Sequence, residues 1–191
     1  MELQGERLIP ANIDRTWEAL NDPETLKACI PGCESVTRTG DNSFESVVAV
    51  KIGPVSARFK GKLQMTNVEP PRAYTINFDG QGGAAGFGKG SADVSLAPEG
   101  DGTRLKFAAK AQVGGKMAQI GSRLVDATAQ KLTEQFFTAF EEHLRPAAVE
   151  GGADDQTAAI VPPAPAPAGI KTSWLIAGAV IIVALIYFMA R

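Results

Sequence analysis

Histidine is nearly missing from this chain of 191 residues, and cysteine, tryptophan and tyrosine occur only twice each. With His143 as the single imidazole and no carboxylates paired in a recognisable setting, little is left for acid–base or covalent chemistry, so no catalytic function is expected. Cys29 and Cys33 stand in ACIPGCE, a spacing different from that of zinc ribbons and thioredoxin-like sites. They are expected as free thiols packed at a turn, without metal. A charge excess of either sign is also absent, with 19 Lys and Arg against 21 Asp and Glu. Nucleic acid is therefore an unsuitable main partner, since neutralising phosphates takes a basic excess. The opening MELQGERLIP has no apolar core of a secretory signal, and the expectation is a cytoplasmic domain.

What the chain does contain is one long apolar run, WLIAGAVIIVALIYFMA, from Trp174 to Ala190, without a charge. As a helix it would rise about 25 Å, the low end of what crosses a bilayer core. Trp174 and Tyr187 lie near its ends, where amphipathic rings prefer the headgroup level, and Lys171 and Arg191 flank it. A buried core helix would show a polar stripe, and this run has none. Residues 173–191 are expected to be a single-pass anchor in the cell inner membrane. Residues 146–172, with GGADD followed by VPPAPAPAG, read as a disordered, extended tether. One domain, residues 1–145, remains.

Within it, Leu3, Gly5, Arg7 and Ile9 alternate in a first strand that Pro10 ends. Asn12 or Asp14 can cap a helix presenting Ile13, Trp17 and Leu20, and Asp22-Pro23 starts a second with Leu26 and Ile30 inward. From Glu34 to Val113 the period is two. Phe44, Ser46, Val48 and Val50, then Ala57, Phe59, Gly61, Leu63 and Met65, then Tyr74, Ile76 and Phe78, then Ala92, Val94 and Leu96, then Leu105, Phe107, Ala109 and Ala111 define the inner face of an antiparallel meander. Arg58, Lys60 and Lys62 make an outward basic row that can serve as a plain solubilising face or meet a partner or anionic lipid. After Gly114-Gly115, a helix from Lys116 to Leu144 is expected, its stripe Met117, Ile120, Leu124, Leu132, Phe136, Phe140 and Leu144 covering the sheet. His143 reads as a solvated cation near that helix's C-terminal dipole. Gly80–Gly90, GQGGAAGFGKG, lacks the strand-then-helix setting of a phosphate loop. It reads as a loop or loose hairpin, or as a mobile lip carrying Phe87.

The order of these elements is similar to that of the START-like, helix-grip superfamily (SRPBCC). Four segments resemble the CoxG family, the G subunit of carbon monoxide dehydrogenase, in particular: LNDPETLKACIPGCES (20–35), VKIGPVSARFKGK (50–62), GGAAGFGKGSA (82–92) and AQVGGKMAQIGSRLVD (111–126). The resemblance implies an α+β domain whose curved antiparallel sheet wraps a long C-terminal helix. It also implies an accessory role, recruiting a molybdenum carbon monoxide dehydrogenase or a related molybdenum hydroxylase to the cytoplasmic membrane. It further implies an apolar guest, a quinone or another isoprenoid lipid, in the helix-grip cavity. Trp17, Leu20, Leu26, Phe44, Phe59, Met65, Phe78, Phe87, Phe107, Met117, Ile120 and Leu124 would then line that cavity. For any single one of them plain core is the better reading, and the cavity rests on the set. The small inward residues Ser46, Ala57, Gly61, Ala109 and Ala111 argue for room beneath the helix. Lys89, Lys116 and Arg123 stand near the expected mouth, able to meet a quinone carbonyl or an acidic patch. The other readings are a pure adaptor with a filled core and, less favoured, a START-like enzyme.

Overall fold

A computed structural model describes residues 2–145. The tether and the apolar run expected at 146–172 and 173–191 lie outside the described residues. No helix among the described residues is long and apolar enough to cross a membrane.

β1 (Glu2–Ile9) stops where Pro10 removes the next ladder donor. α1 (Ile13–Ala19) follows, capped by Asn12, whose side chain accepts from the Arg15 backbone N–H at 2.9 Å. α2 (Pro23–Cys29) is capped by Asp22 and has its proline in the first turn, where the missing N–H costs nothing. These two short helices carry the chain from one edge of a seven-stranded antiparallel sheet to the other. The sheet continues with β2 (Cys33–Gly40), β3 (Ser43–Ile52), β4 (Val55–Glu69), β5 (Ala73–Gln81), β6 (Phe87–Glu99) and β7 (Gly102–Gly114), in the order β1-β7-β6-β5-β4-β3-β2. The expected alternation holds residue by residue: Phe44, Ser46, Val48, Phe59, Leu63, Met65, Ile76, Phe78, Ala92, Val94, Leu105 and Ala109 are all buried.

The C-terminal helix is not continuous. α3 (Lys116–Gln119) is a single turn, and α4 (Ser122–Leu144) begins after Gly121 at φ +99°, a conformation that breaks a right-handed helix. This resets the phase of the apolar stripe. Val125, Ala129, Thr133, Phe136, Phe137, Phe140 and Leu144 are the buried residues of α4, and Leu124 turns outward to 43% exposure. A curved antiparallel sheet gripping a long helix, with two short helices after the first strand, is the helix-grip fold.

The sheet's turns divide between two ends of the domain. At one end lie the β3–β4 turn at Gly53-Pro54, the β5–β6 connection, α3 and the start of α4. At the other lie the β2–β3, β4–β5 and β6–β7 turns and the last turn of α4, where His143 Nε2 is 3.3 Å from Thr25 Oγ1.

Candidate functional site

The interior between α4 and the sheet is an aliphatic core threaded by packed aromatic rings. Phe107 stacks on Phe137 with centroids 5.4 Å apart, Phe136 stacks on Phe140 at 5.4 Å, and Trp17 meets Tyr74 edge-on at 5.2 Å. Such pairs contribute on the order of 1 kcal/mol each beyond their buried area. Arg7, on the inner side of β1, is held by a Glu134 carboxylate and lies 5.4 Å from the Phe137 ring.

Of the residues expected to line a cavity, Trp17, Leu20, Leu26, Phe44, Phe59, Met65, Phe78, Phe107 and Met117 are buried together in one cluster, with Ile120 packed at its margin. Phe87 and Leu124 stand apart from it. Phe87 lies opposite Gly114 and Gln81, a parity that puts it on the outer side of the sheet, and it is 44% exposed. Its ring covers the space where a Gly114 Cβ would stand. Leu124 closes on the other turn of the same end, within 2.9 Å of where a Gly53 Cβ would be.

The glycine-rich stretch is mostly paired backbone. β5 runs to Gln81, Gly83–Ala85 forms a 3-10 turn that buries Ala85, and the Gly82 N–H donates to Gly86 O at 2.8 Å. Gly86 and Gly115 pass so closely that a Cβ on Gly86 would strike the Gly114 carbonyl and one on Gly115 would strike the Gly86 backbone. Their spacing therefore serves close packing of the β5–β6 connection on the entry to α3.

Among the buried polar atoms without a hydrogen-bond partner in the described residues are Ser46 Oγ, Thr133 Oγ1 and Trp17 Nε1. Ser46 is 2% and Thr133 3% exposed. An unpaired buried hydroxyl costs about 1–3 kcal/mol, so each such group asks for a water or a guest. None of the three was singled out by periodicity as a polar site, because Ser46 and Thr133 simply occupy inward places in their elements. At the end that carries the β3–β4 turn, the β5–β6 connection, α3 and the start of α4, here called the open end, a pocket of about 170 Å³ lies between Val113, Met117, Gly121 and Val125.

The outer face of the sheet is polar. Its registers align Glu45, Lys62, Asp79, Lys89 and Gln112 in one row and Glu2, Lys110, Ser91, Asn77 and Gln64 in the next, along a shallow hollow of about 1000 Å³. Arg58, Lys60 and Lys62 are exposed on this face, with Arg58 2.6 Å from Glu34 and Lys62 3.8 Å from Glu45. Burial pushes both the Cys29 and the Cys33 thiols up to about 11. Among the described residues no cluster of His, Cys, Asp and Glu could hold a metal ion.

Solved structures share this arrangement. A conserved protein of Geobacillus kaustophilus is similar over 75% of this chain and 95% of its own, with 28% identity and a TM-score of 0.70. A Thermus thermophilus protein has 22% identity over 78% of this chain and 99% of its own, at a TM-score of 0.59. A Rhizobium leguminosarum protein has 19% identity over 75% and 93%, at 0.58. The last two bear on the fold alone. No curated protein matches the chain. Residues 5–145 match the family described as the G subunit of carbon monoxide dehydrogenase (CoxG), which takes in all of the fold just described but the first residues of β1, and the chain belongs to that family.

Proposed function

We propose that this chain is a membrane-anchored accessory protein that recruits a molybdenum carbon monoxide dehydrogenase, or a related molybdenum hydroxylase, to the cytoplasmic membrane. Family membership across residues 5–145 is the observation that carries the reading. The uncharged run from Trp174 to Ala190 supports the anchor, and the Pro/Ala tether would let the domain reorient above the bilayer. Removing residues 173–191 is expected to move the protein from the membrane to the soluble fraction while it still captures the dehydrogenase. Retention on the membrane would count against the anchor, and failure of the full chain to capture the enzyme would count against recruitment.

The same reading includes an apolar ligand, a quinone, held between α4 and the sheet. The unpartnered Ser46, Thr133 and Trp17 groups favour it, since a quinone carbonyl accepts hydrogen bonds inside an apolar enclosure. A second reading, the pure adaptor with a filled core, is favoured by the close aromatic stacking and by the small size of the pocket at the open end, below the roughly 300 Å³ of ordinary ligand sites. Native mass spectrometry with organic extraction, on full chain purified in mild detergent from quinone-containing cells, separates the two. One quinone or isoprenoid per chain selects the carrier; an empty chain that still binds the dehydrogenase selects the adaptor.

A further inference from the structure

The two ends of the domain differ in charge and in exposed apolar surface. Turns at the far end carry Asp41, Glu69, Glu99 and Asp101 against Arg72. The open end carries Lys51, Lys60, Lys116 and Arg123, all exposed and none in an ion pair among the described residues. Among the described residues, the acids at this end are Asp126, half-buried on α4, Glu34, which pairs with Arg58 at 2.6 Å, and Asp79, two residues before the end of β5, so cations remain in excess. The same end exposes Phe87 and Leu124, two of the three large apolar side chains that the described domain leaves open. Pro54 and Ala84 are exposed loop residues of the same end.

We infer that the open end, presenting Phe87, Leu124 and the cations Lys51, Lys60, Lys116 and Arg123, seats on the anionic surface of the bilayer. The inference rests on the membrane-anchor reading of the apolar run. An apolar tip ringed by cations fits lipid, since each Lys or Arg near an anionic leaflet strengthens binding about fivefold. The acidic far end is repelled by the same leaflet.

The length of chain beyond Arg145 permits this orientation. α4 has 23 residues and so rises about 35 Å, starting at the open end and delivering the tether at the acidic end. Residues 146–172 must reach back past the domain to bring the open end down. At about 3 Å per residue the segment extends to about 80 Å, more than twice that distance. A shorter tether would hold the acidic end at the membrane.

The test places a nitroxide on Ala84→Cys at the open end or on Asp101→Cys at the far end, in full chain carrying Cys29→Ala and Cys33→Ser. The chain is reconstituted in vesicles of phosphatidylcholine with phosphatidylglycerol. Expected is an oxygen-to-nickel accessibility ratio several-fold higher at position 84 than at 101. That difference should collapse in Lys116→Glu/Arg123→Glu and in pure phosphatidylcholine, with the chain still pelleting with the vesicles. Equal water exposure of both labels in a chain that pellets overturns the seating and leaves the anchor standing. A chain that stays in the supernatant overturns both. Shielding of position 84 only after a dehydrogenase is added overturns the seating in favour of a protein-binding surface.

Discussion

Asp22 stands at the junction of α1 and α2 and accepts from both the Thr25 backbone N–H, at 2.9 Å, and the Thr25 hydroxyl, at 2.7 Å. Partial burial works against its charge, but the Thr25 hydrogen bonds outweigh it and hold the carboxyl below its ordinary value. Asp22→Ala should cost about 1 kcal/mol near neutrality, read as a fall of about 3 °C in the melting temperature. Because the folded carboxyl titrates lower than the unfolded one, this contribution is present above the unfolded value and fades as pH drops through the folded one. The melting curves of wild type and variant should therefore converge in acid; a gap that persists there would refute the cap. The two thiols allow a second check. With both raised to about 11, Cys29 and Cys33 should react slowly with a disulfide reagent at neutral pH and quickly once the chain is unfolded in urea. Rapid labelling of the folded protein would mean that the turn is open. The caps and the cysteine turn were legible because they depend on neighbours a few residues away. Phe87 was not: its outward parity is set by pairing with Gly114, which no local pattern announces.

At the scale of elements, strands were readable wherever one face is buried, since a one-residue slip would turn Phe59, Leu63 and Met65 to water. α4 was readable in kind but not in phase. Gly121 looks, in sequence, like a tolerable interruption of a helix, and only its φ of +99° makes it a break that moves Val125 inward and Leu124 out. The glycine-rich connection was legible as unusual, yet its order follows from backbone contacts with the entry to α3. Gly90 illustrates the requirement: a Cβ there would run into the Lys110 carbonyl and the Phe78 ring. Gly90→Ala should destabilise by about 1–3 kcal/mol, measured by urea unfolding, and a neutral result would show that β6 and β7 can part locally. Thr133→Val addresses the interior. It removes an unpaired hydroxyl while keeping its volume, so the empty protein should be unchanged or about 1 kcal/mol more stable. If the hydroxyl serves a quinone carbonyl, the same variant should lose bound quinone on extraction. A destabilised empty protein would mean that the hydroxyl already has a partner.

For the molecule as a whole, the proposed tether and the charge of the domain's two ends would act together, since α4 ends at the acidic end and the expected tether at 146–172 would leave from there. The polarity was invisible before the strands were assigned to ends, since Lys51 and Lys60 are distant in the chain from Lys116 and Arg123 and share an end with them only through the β3–β4 hairpin, α3 and the start of α4. Tether length should then decide which end faces the bilayer. Cutting residues 146–172 to a third of their length leaves a reach of about 25 Å, less than the rise of α4. The open end could no longer come down while the anchor spans, so the acidic end would be held at the surface against its own charge. A label at Asp101 should become shielded in the shortened chain and one at Ala84 should turn to water, the reverse of the full-length result. Recruitment of the dehydrogenase should weaken if the enzyme docks on the domain's sides or acidic end, where the bilayer would now compete for space. If the label pattern stayed the same with the short tether, the domain's orientation would be set by something other than reach and charge, and the polarity of its ends would be incidental.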